Sequence, residues 1–358
     1  GELLDSVRPG VEVAITREPV GPVAIITPWN FPIAIPAWKI APALAFGNTV
    51  VFKPAELVPG SAWALSEIIS RSGLPPGVFN LVNGPGRVVG EALVSSPDIA
   101  AVSFTGSAEV GRRIAVTCAQ RGARVQLEMG GKNPLVVLDD ADLGVAVEVA
   151  AQGAFFSTGQ RCTASSRLIV TEGIHDAFVA CLTVRLDSLR VDDARADGTD
   201  IGPVVDATQL AQDLDYLEIA RAEGARLVGG QRLERPRDGF YLQPALLVEA
   251  HNDMRSSREE IFGPVASVIA VSDYDEALAV ANDTPFGLVA GIVTRSLRHA
   301  AHFRRHAEAG MVMVNLPTAG VDFHVPFGGR KGSSFGPREQ GRYAREFYTN
   351  VKTTYVAP

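Results

Sequence analysis

No stretch of the 358-residue chain stays apolar long enough to cross a bilayer as a helix. Its first residues, GELLDSVRPG, carry neither the basic nor the apolar region of a signal peptide. Cysteine is scarce: three residues with no paired spacing argue against a disulfide framework, and a reducing, cytoplasmic setting is expected. Positive charge is in deficit, 33 Lys and Arg against 40 Asp and Glu. The resulting formal charge of −7 argues against nucleic acid or an anionic membrane as partner. The six histidines are scattered, with no HExxH and no Cys/His cluster, so no metal is expected. His302 and His306, four apart among Arg304 and Arg305, read as a solvated helix face. A GxGxxG fingerprint, an internal repeat and a low-complexity tract are all absent.

What is present is an alternation of apolar strands and helices, at a length that suggests about two domains. VAIIT (23–27) and NTVVFK (48–53) read as strands stopped by Pro28 and Pro54, and a helix follows from Ser61 to Ser70. VFNLVNG (78–84) reads as strand and turn, further strands are expected at 99–104, 124–129 and 134–139, and helices over 88–94 and 110–118. After Asp142 the pattern restarts with helices to Ala154, over 175–189 and 209–223, a strand at 167–170, a polar loop at 192–203, and ARLVGG (225–230) completing the unit. A third set runs from Pro264 to Asn315. The fold class is therefore α/β with parallel sheets, and the main boundary falls near Gly130-Gly131.

Cys118 (IAVTCA) and Cys181 (FVACLTV) lie in apolar helical runs, where a thiol packs as a small hydrophobe. Cys162 lies instead in FFSTGQRCT, a polar stretch beside Arg161, which favours an accessible thiolate. Four strand ends in the first half carry polar or Gly/Pro residues, where an open α/β sheet binds ligands. In TPWNFP, Asn30 suits an oxyanion donor, though an Asx turn explains it as well when read alone. In KPAE, Lys53 and Glu56 suit the hydroxyls of a ribose, or a surface ion pair. In FTGSAEVG, a strand, a Gly turn and a helix start aim backbone N–H groups at a phosphate. In LEMGGK, burial among apolar neighbours would raise Glu128 toward the range of a general base; a structural ion pair with Lys132 or an arginine is the other reading.

A thiol, an isolated carboxylate, an amide donor and a nucleotide site define one reaction. The thiolate attacks an aldehyde, Asn30 and the Cys162 N–H hold the oxyanion, hydride leaves to a nicotinamide, and Glu128 activates the water that hydrolyses the thioester.

TPWNFP, KPAE, FTGS, LEMGGK, GQRC, EEIFGPV (259–265) and PFGG (326–329) occur in the order and spacing of the aldehyde dehydrogenase superfamily, which the chain resembles from end to end. The resemblance implies Cys162 as nucleophile, Glu128 as general base and Asn30 as oxyanion donor, with Lys39 and Glu339 relaying protons. It implies cofactor contacts at Thr27, Trp29, Lys53, Glu56, Gly86, Gly106, Ser107, Gly130, Glu260 and Phe262. Three parts are implied: an oligomerisation arm (1–19 and 348–358), a parallel-sheet cofactor domain (20–130) and an α/β catalytic domain (131–330), with a return segment at 331–347. The cofactor domain is expected to be incomplete, because family members begin it upstream of the arm, and activity of this polypeptide is expected to suffer accordingly. A homodimer or homotetramer is expected.

PFGGRKGSSFGPRE carries one residue more before Arg338-Glu339 than the common form. With GQRCTASSRLIVTEGIHD it is similar to the 2-oxoglutarate semialdehyde (2,5-dioxopentanoate) dehydrogenase branch. Arg161 would grip the substrate carboxylate or pair within its own loop, and Phe156 and Phe323 would wall the pocket. A carboxylate at the ribose repels a 2′-phosphate, so NAD is expected, with NADP as a second acceptor. Alternatives are a dehydrogenase for succinate semialdehyde or a neutral aliphatic aldehyde, and, from another class, an inactive cofactor-binding or assembly fragment. A cysteine hydrolase would need a histidine near Cys162, and none stands out.

Overall fold

The computed structural model describes residues 1–357 and divides into two compact units. The first comprises Gly1–Met129, Val321–Gly328 and the chain from Ser334 onward; the second comprises Gly130–Gly320 and Gly329–Ser333.

The first unit opens with β1 (Glu2–Asp5), β2 (Glu12–Pro19), β3 (Pro22–Ile26), α1 (Ala34–Ala45), β4 (Thr49–Lys53) and α2 (Pro59–Ser70). It continues with β5 (Phe79–Leu81), α3 (Glu91–Ser95), β6 (Ala101–Thr105), α4 (Ala108–Gln120) and β7 (Arg124–Glu128). The second unit holds β8 (Asn133–Val137), α5 (Leu143–Ala154), β9 (Ser165–Thr171), α6 (Glu172–Asp187), α7 (Ala207–Ala222), β10 (Arg226–Gly229), β11 (Arg232–Leu233), β12 (Tyr241–Leu242) and β13 (Ala245–Val248). There follow α8 (Arg255–Arg258), β14 (Val265–Val271), α9 (Tyr274–Asn282), β15 (Val289–Val293), α10 (Leu297–His306) and β16 (Met311–Val314). The chain then returns to the first unit as β17 (Ser334–Phe335), α11 (Arg345–Tyr348) and β18 (Thr349–Val356).

The main sheet of the first unit runs β17-β7-β6-β3-β4-β5, parallel except for β17. The chain builds outward from β3 through β4 to β5, then crosses to the other side of β3 for β6 and β7. The point where the direction of building reverses lies between β3 and β6. Successive side chains point to opposite faces: Val23 and Ile25 pack with α1 and α11, while Ala24, Val102 and Phe104 pack with α4. Cys118 belongs to the second of these clusters, fully buried. A separate antiparallel sheet, β1-β2-β18, pairs the two ends of the chain and leaves Leu3, Leu4, Val351, Tyr355 and Val356 exposed.

The second sheet runs β10-β13-β14-β9-β8-β15-β16, parallel except for β10. Leu135, Val137, Leu168 and Val170 face α5 and α6 on one side; Val136, Leu138 and Ile169 face α7, α9 and α10 on the other. A sheet apolar on both faces needs helices on both, which the alternation of elements supplies.

Two local expectations change. Nothing in the pattern predicted α1, whose sequence holds Pro36 near its start and Pro42 inside. Pro36 lies in the first turn of the helix, and the buried Ile35, Lys39, Ile40 and Ala43 supply the packing that outweighs Pro42. Cys181 is exposed: α6 buries Ile174, Phe178, Leu182 and Leu186 at i, i+4 spacing, and Cys181 falls off that stripe.

Candidate active site

In the first unit the candidate residues leave the sheet at the carboxyl ends of adjacent parallel strands. Thr27 follows β3, is 3% exposed, and donates its N–H to the Lys53 carbonyl at 3.2 Å; its hydroxyl has no partner. The Thr105 hydroxyl at the end of β6 is likewise buried and unpartnered. Trp29 and Asn30 lie in the bend after Thr27, half-buried. Lys53 ends β4; burial lowers its pKa, which the Glu56 charge opposes. Its Nζ donates to the Pro54 carbonyl at 2.8 Å, while the exposed Glu56 accepts the Gly86 N–H at 2.8 Å.

A Cβ on Gly106 would lie 2.5 Å from the Phe104 ring, so the turn into α4 requires glycine there. Ser107 caps α4 by accepting the Val110 N–H at 3.5 Å. A cleft of about 480 Å³ opens here, lined by Ile26 of β3, Phe104 of β6, Gly86, Arg87 and residues of α3 and α4. It lies where β3 and β6 diverge, the place an open α/β sheet offers to a nucleotide. A cleft of this size suits a small-molecule ligand. At the ends of the same two strands, outside the cleft lining, the buried, unpartnered hydroxyls of Thr27 and Thr105 fit a ligand rich in oxygen.

At the end of the neighbouring strand β7, Glu128 is 2% exposed and accepts a hydrogen bond from Ser334 Oγ at 2.5 Å. Burial first, then the negative charge of Glu339, push its pKa well above the usual carboxylate range. Glu339 pairs with the buried Lys39 of α1 and accepts from Trp38 Nε1 at 2.7 Å. Lys39 also donates to Ser103 Oγ at 2.9 Å, and Ser103 donates to Gln126 at 3.0 Å. Gly328, at φ 142°, completes the wall: a Cβ there would stand 2.7 Å from Glu128 Oε1. Glu128, Lys39 and Glu339 are thus brought together.

The second unit places its candidates at the amino ends of its strands. Cys162, half-buried, lies on the segment entering β9. Ser157, Thr158 and Gly159 precede it in three consecutive left-handed conformations (φ 53°, 59° and 64°), an uncommon state for a threonine. Thr158 Oγ1 donates to the Gly202 carbonyl at 3.1 Å, and Gln160 Oε1 accepts from the Val205 N–H at 2.9 Å. Asn133 Nδ2 donates to the Cys162 carbonyl at 2.7 Å and to that of Ala164 at 2.9 Å. Thr318 Oγ1 donates to the Thr163 carbonyl at 2.7 Å. The peptide carrying the thiol is clamped on both sides.

Arg161 turns within its own loop, donating to Ser157 Oγ at 2.7 Å, and its Nε has no partner. Phe156 packs, partly buried, against the core under α5 and α6, whereas Phe323 is 81% exposed. Glu260 and Phe262 lie on the segment entering β14, with Phe262 left-handed at φ 64°. The Gly131 N–H donates to Glu260 Oε1 at 2.9 Å, and the Glu260 carboxylate fills the room a side chain at Gly130 would need. Burial raises the Glu260 pKa and lowers that of Lys132 to about 7.

Asn133, Thr318, Ser334 and Thr158 have no place in the pattern reading. An amide directly after Gly-Gly-Lys was the one visible signal, for Asn133; the rest act through bonds that only the fold reveals. Among the described residues no group of three or more His, Cys, Asp or Glu side chains could hold a metal. No helix among them is long and apolar enough to cross a membrane.

Residues 1–354 match the aldehyde dehydrogenase family. The alpha-ketoglutaric semialdehyde dehydrogenase of Bacillus subtilis is 45% identical over 361 residues, covering 100% of this chain and 74% of that protein. The alpha-ketoglutarate semialdehyde dehydrogenase of Haloferax volcanii is 48% identical, covering 97% of this chain and 72% of that one. Among solved structures, the betaine aldehyde dehydrogenase of Staphylococcus aureus in complex with NAD+ superposes with a TM-score of 0.97 at 35% identity, over 100% of this chain and 71% of its own. The chain belongs to the aldehyde dehydrogenase family.

Proposed function

We propose that the protein oxidises 2-oxoglutarate semialdehyde to 2-oxoglutarate with NAD as acceptor and NADP as a poorer substitute. The observation that supports this reading is Glu128, a buried carboxyl beside the Lys39–Glu339 pair, whose pKa burial and the Glu339 charge push well above the usual carboxylate range. A hydrolytic base is needed only where a thioester must be split by water, which separates this chemistry from CoA acylation.

The second unit supplies the nucleophile: the Cys162 thiolate forms a bond to the aldehyde carbon and the carbonyl oxygen becomes an oxyanion. Asn30 Nδ2 and the Cys162 N–H are its proposed donors, together worth roughly 3–4 kcal/mol of transition-state stabilisation or more. Bound NAD supplies the hydride acceptor that lets the thiohemiacetal become a thioester. Thr27, Trp29, Lys53, Glu56, Gly86, Gly106 and Ser107 of the first unit, with Gly130, Glu260 and Phe262 of the second, are the residues proposed to hold it. Glu128 then takes a proton from water, the hydroxide adds to the thioester carbonyl, and the carboxylate leaves Cys162 as thiolate. The proton held by Glu128 passes toward Glu339 and Lys39.

Substrate choice rests on charge and on kinship. Both cited relatives at 45 and 48% identity carry the name of an anionic aldehyde, while others at 45% are named for betaine aldehyde, a cation. Arg161, next to Cys162 in the chain, would meet the anion by giving up its bond to Ser157. The test is turnover of 2-oxoglutarate semialdehyde, a neutral aliphatic aldehyde and betaine aldehyde by wild type and Arg161→Ala. The reading expects a preference for the anion that the variant loses by at least tenfold, with the neutral aldehyde unaffected. Equal losses on all three would remove Arg161 as a clamp, and wild-type preference for betaine aldehyde would remove the substrate assignment. The exposed apolar residues of the β1-β2-β18 sheet support assembly into a homo-oligomer, and the scarcity of cysteine, with no paired spacing in the sequence, supports a cytoplasmic setting.

A further inference from the structure

One face of α7 is polar where a packing helix is normally apolar. Gln209, Gln212, Asp213 and Tyr216, spaced i, i+3, i+4 and i+7, all address the turn that leads into β14. Gln209 and Gln212 both donate to the Ile261 carbonyl, at 2.9 and 2.8 Å. The Tyr216 hydroxyl donates to Glu259 Oε2 at 2.6 Å. Asp213 is fully buried; it accepts from Gln209 Nε2 at 2.8 Å, and its second oxygen has no partner. Its carboxyl lies where a side chain at Gly263 would have to go. The Gly263 carbonyl in turn fills the room for a side chain at Gly159, in the left-handed turn before Cys162. Helix, turn and nucleophile loop therefore meet through two glycines, with no flexible side chain between the turn and the loop. The lead-in to α7 holds the same loop from the other direction, through Thr158 to Gly202 and Gln160 to Val205. Burial keeps the Asp213 carboxyl protonated up to about pH 7, so it sits in the stack without a counter-ion.

We infer that Asp213, with the polar stripe of α7, is a positioning residue that holds the 259–263 turn against the nucleophile loop and so sets where Glu260 and Phe262 stand relative to Cys162. The consequence for the cofactor rests on the assignment of those two residues proposed above; the positioning itself does not. Asp213 touches neither reacting atoms nor cofactor residues directly. Its effect passes through Gly263.

Hydrogen–deuterium exchange on the cofactor-free protein tests this, paired with the NAD dissociation constant measured by titration. Asp213→Ala should speed exchange of the 259–263 and 157–162 segments at least tenfold while leaving β9 unchanged, and should weaken NAD binding at least fivefold. Asp213→Asn, which keeps the shape and the bond from Gln209, should exchange no faster than wild type and bind NAD within twofold of it. Exchange in the alanine variant within twofold of wild type, or asparagine loosening the turn as much as alanine, would overturn the role. If Asp213→Ala fails to fold, Gln212→Ala carries the test. Gln212 is exposed and removes one of the two bonds to Ile261, so local exchange should rise about threefold, and no rise would overturn the inference. Glu260→Ala is the control for the reading beneath. Unchanged NAD affinity there would sink the cofactor assignment and leave the positioning result standing on exchange alone.

Discussion

The first unit presents its candidate residues where parallel strands end, and the second presents its own where parallel strands begin. Thr27, Lys53, Thr105 and Glu128 all follow or close a strand. Cys162, Glu260 and Gly130 all precede one. The two edges offer different chemistry. Beyond a carboxyl edge the chain turns into a helix N-terminus, as at Gly106-Ser107 before α4, and exposes N–H groups suited to phosphates. At an amino edge the incoming segment has no such terminus, and its place is set by side chains: Asn133 and Thr318 for the thiol, the α7 stripe for the Glu260 turn. On the proposed roles, a nucleotide would be met by backbone and a covalent centre by a clamp.

Variants at the two edges should therefore fail differently. Cys162→Ser should lose about 10⁴-fold or more in kcat while binding NAD within twofold of wild type; weakened NAD binding of similar size would blur the division. Asp213→Asn sharpens it through stability. Burial raises the folded pKa of Asp213 from 3.8 to about 7. Below pH 4 both states hold the proton; between pH 4 and 7 the folded chain keeps it and the unfolded chain does not. Stability contributed at this position falls as pH rises through that window and levels off above it. The amide variant should then gain about 2–4 kcal/mol over wild type at pH 8 and little at pH 4, read from denaturant midpoints at the two pH values.

Asn133→Ala leaves the part-buried Cys162 carbonyl and the buried Ala164 carbonyl short of a donor. It should cost about 1–3 kcal/mol and alter the alkylation rate of Cys162 more than NAD affinity. The smallest effect belongs to the carboxyl edge. Glu56→Gln should shift the NADP-to-NAD preference about tenfold toward NADP, roughly 1.4 kcal/mol, with kcat unchanged; a loss of kcat instead would place Glu56 in the chemistry.

The carboxyl edge was legible in the sequence because its rule is local. A strand pattern that ends in Lys53-Pro54 or Thr105-Gly106 announces both the edge and the turn, and Glu128 stood out as a carboxylate among apolar neighbours. At the amino edge Cys162 stood out by its polar stretch beside Arg161, whereas Glu260 and Phe262 were legible only through motif resemblance, since no periodicity distinguishes the loop entering β14 from any other. α1 stayed hidden because Pro36 and Pro42 argue against a helix, and tertiary burial of Ile35 and Ile40 overrides them. Asp213 was invisible for another reason: QLAQDLDY reads as an ordinary solvated helix, and only the fold shows that its polar stripe faces a buried turn.

The account turns on Glu128 acting as the base that frees Cys162 from its acyl group. Glu128→Gln, mixed with 2-oxoglutarate semialdehyde and NAD, should release one equivalent of NADH per chain in a burst. Steady turnover should then be about 10²–10⁴-fold slower than wild type, with intact-mass analysis finding one acyl group on Cys162. In wild type, steady turnover should rise with pH through the elevated Glu128 pKa. Unabated linear turnover by the variant, or a burst-free loss with Cys162 unmodified, would contradict it.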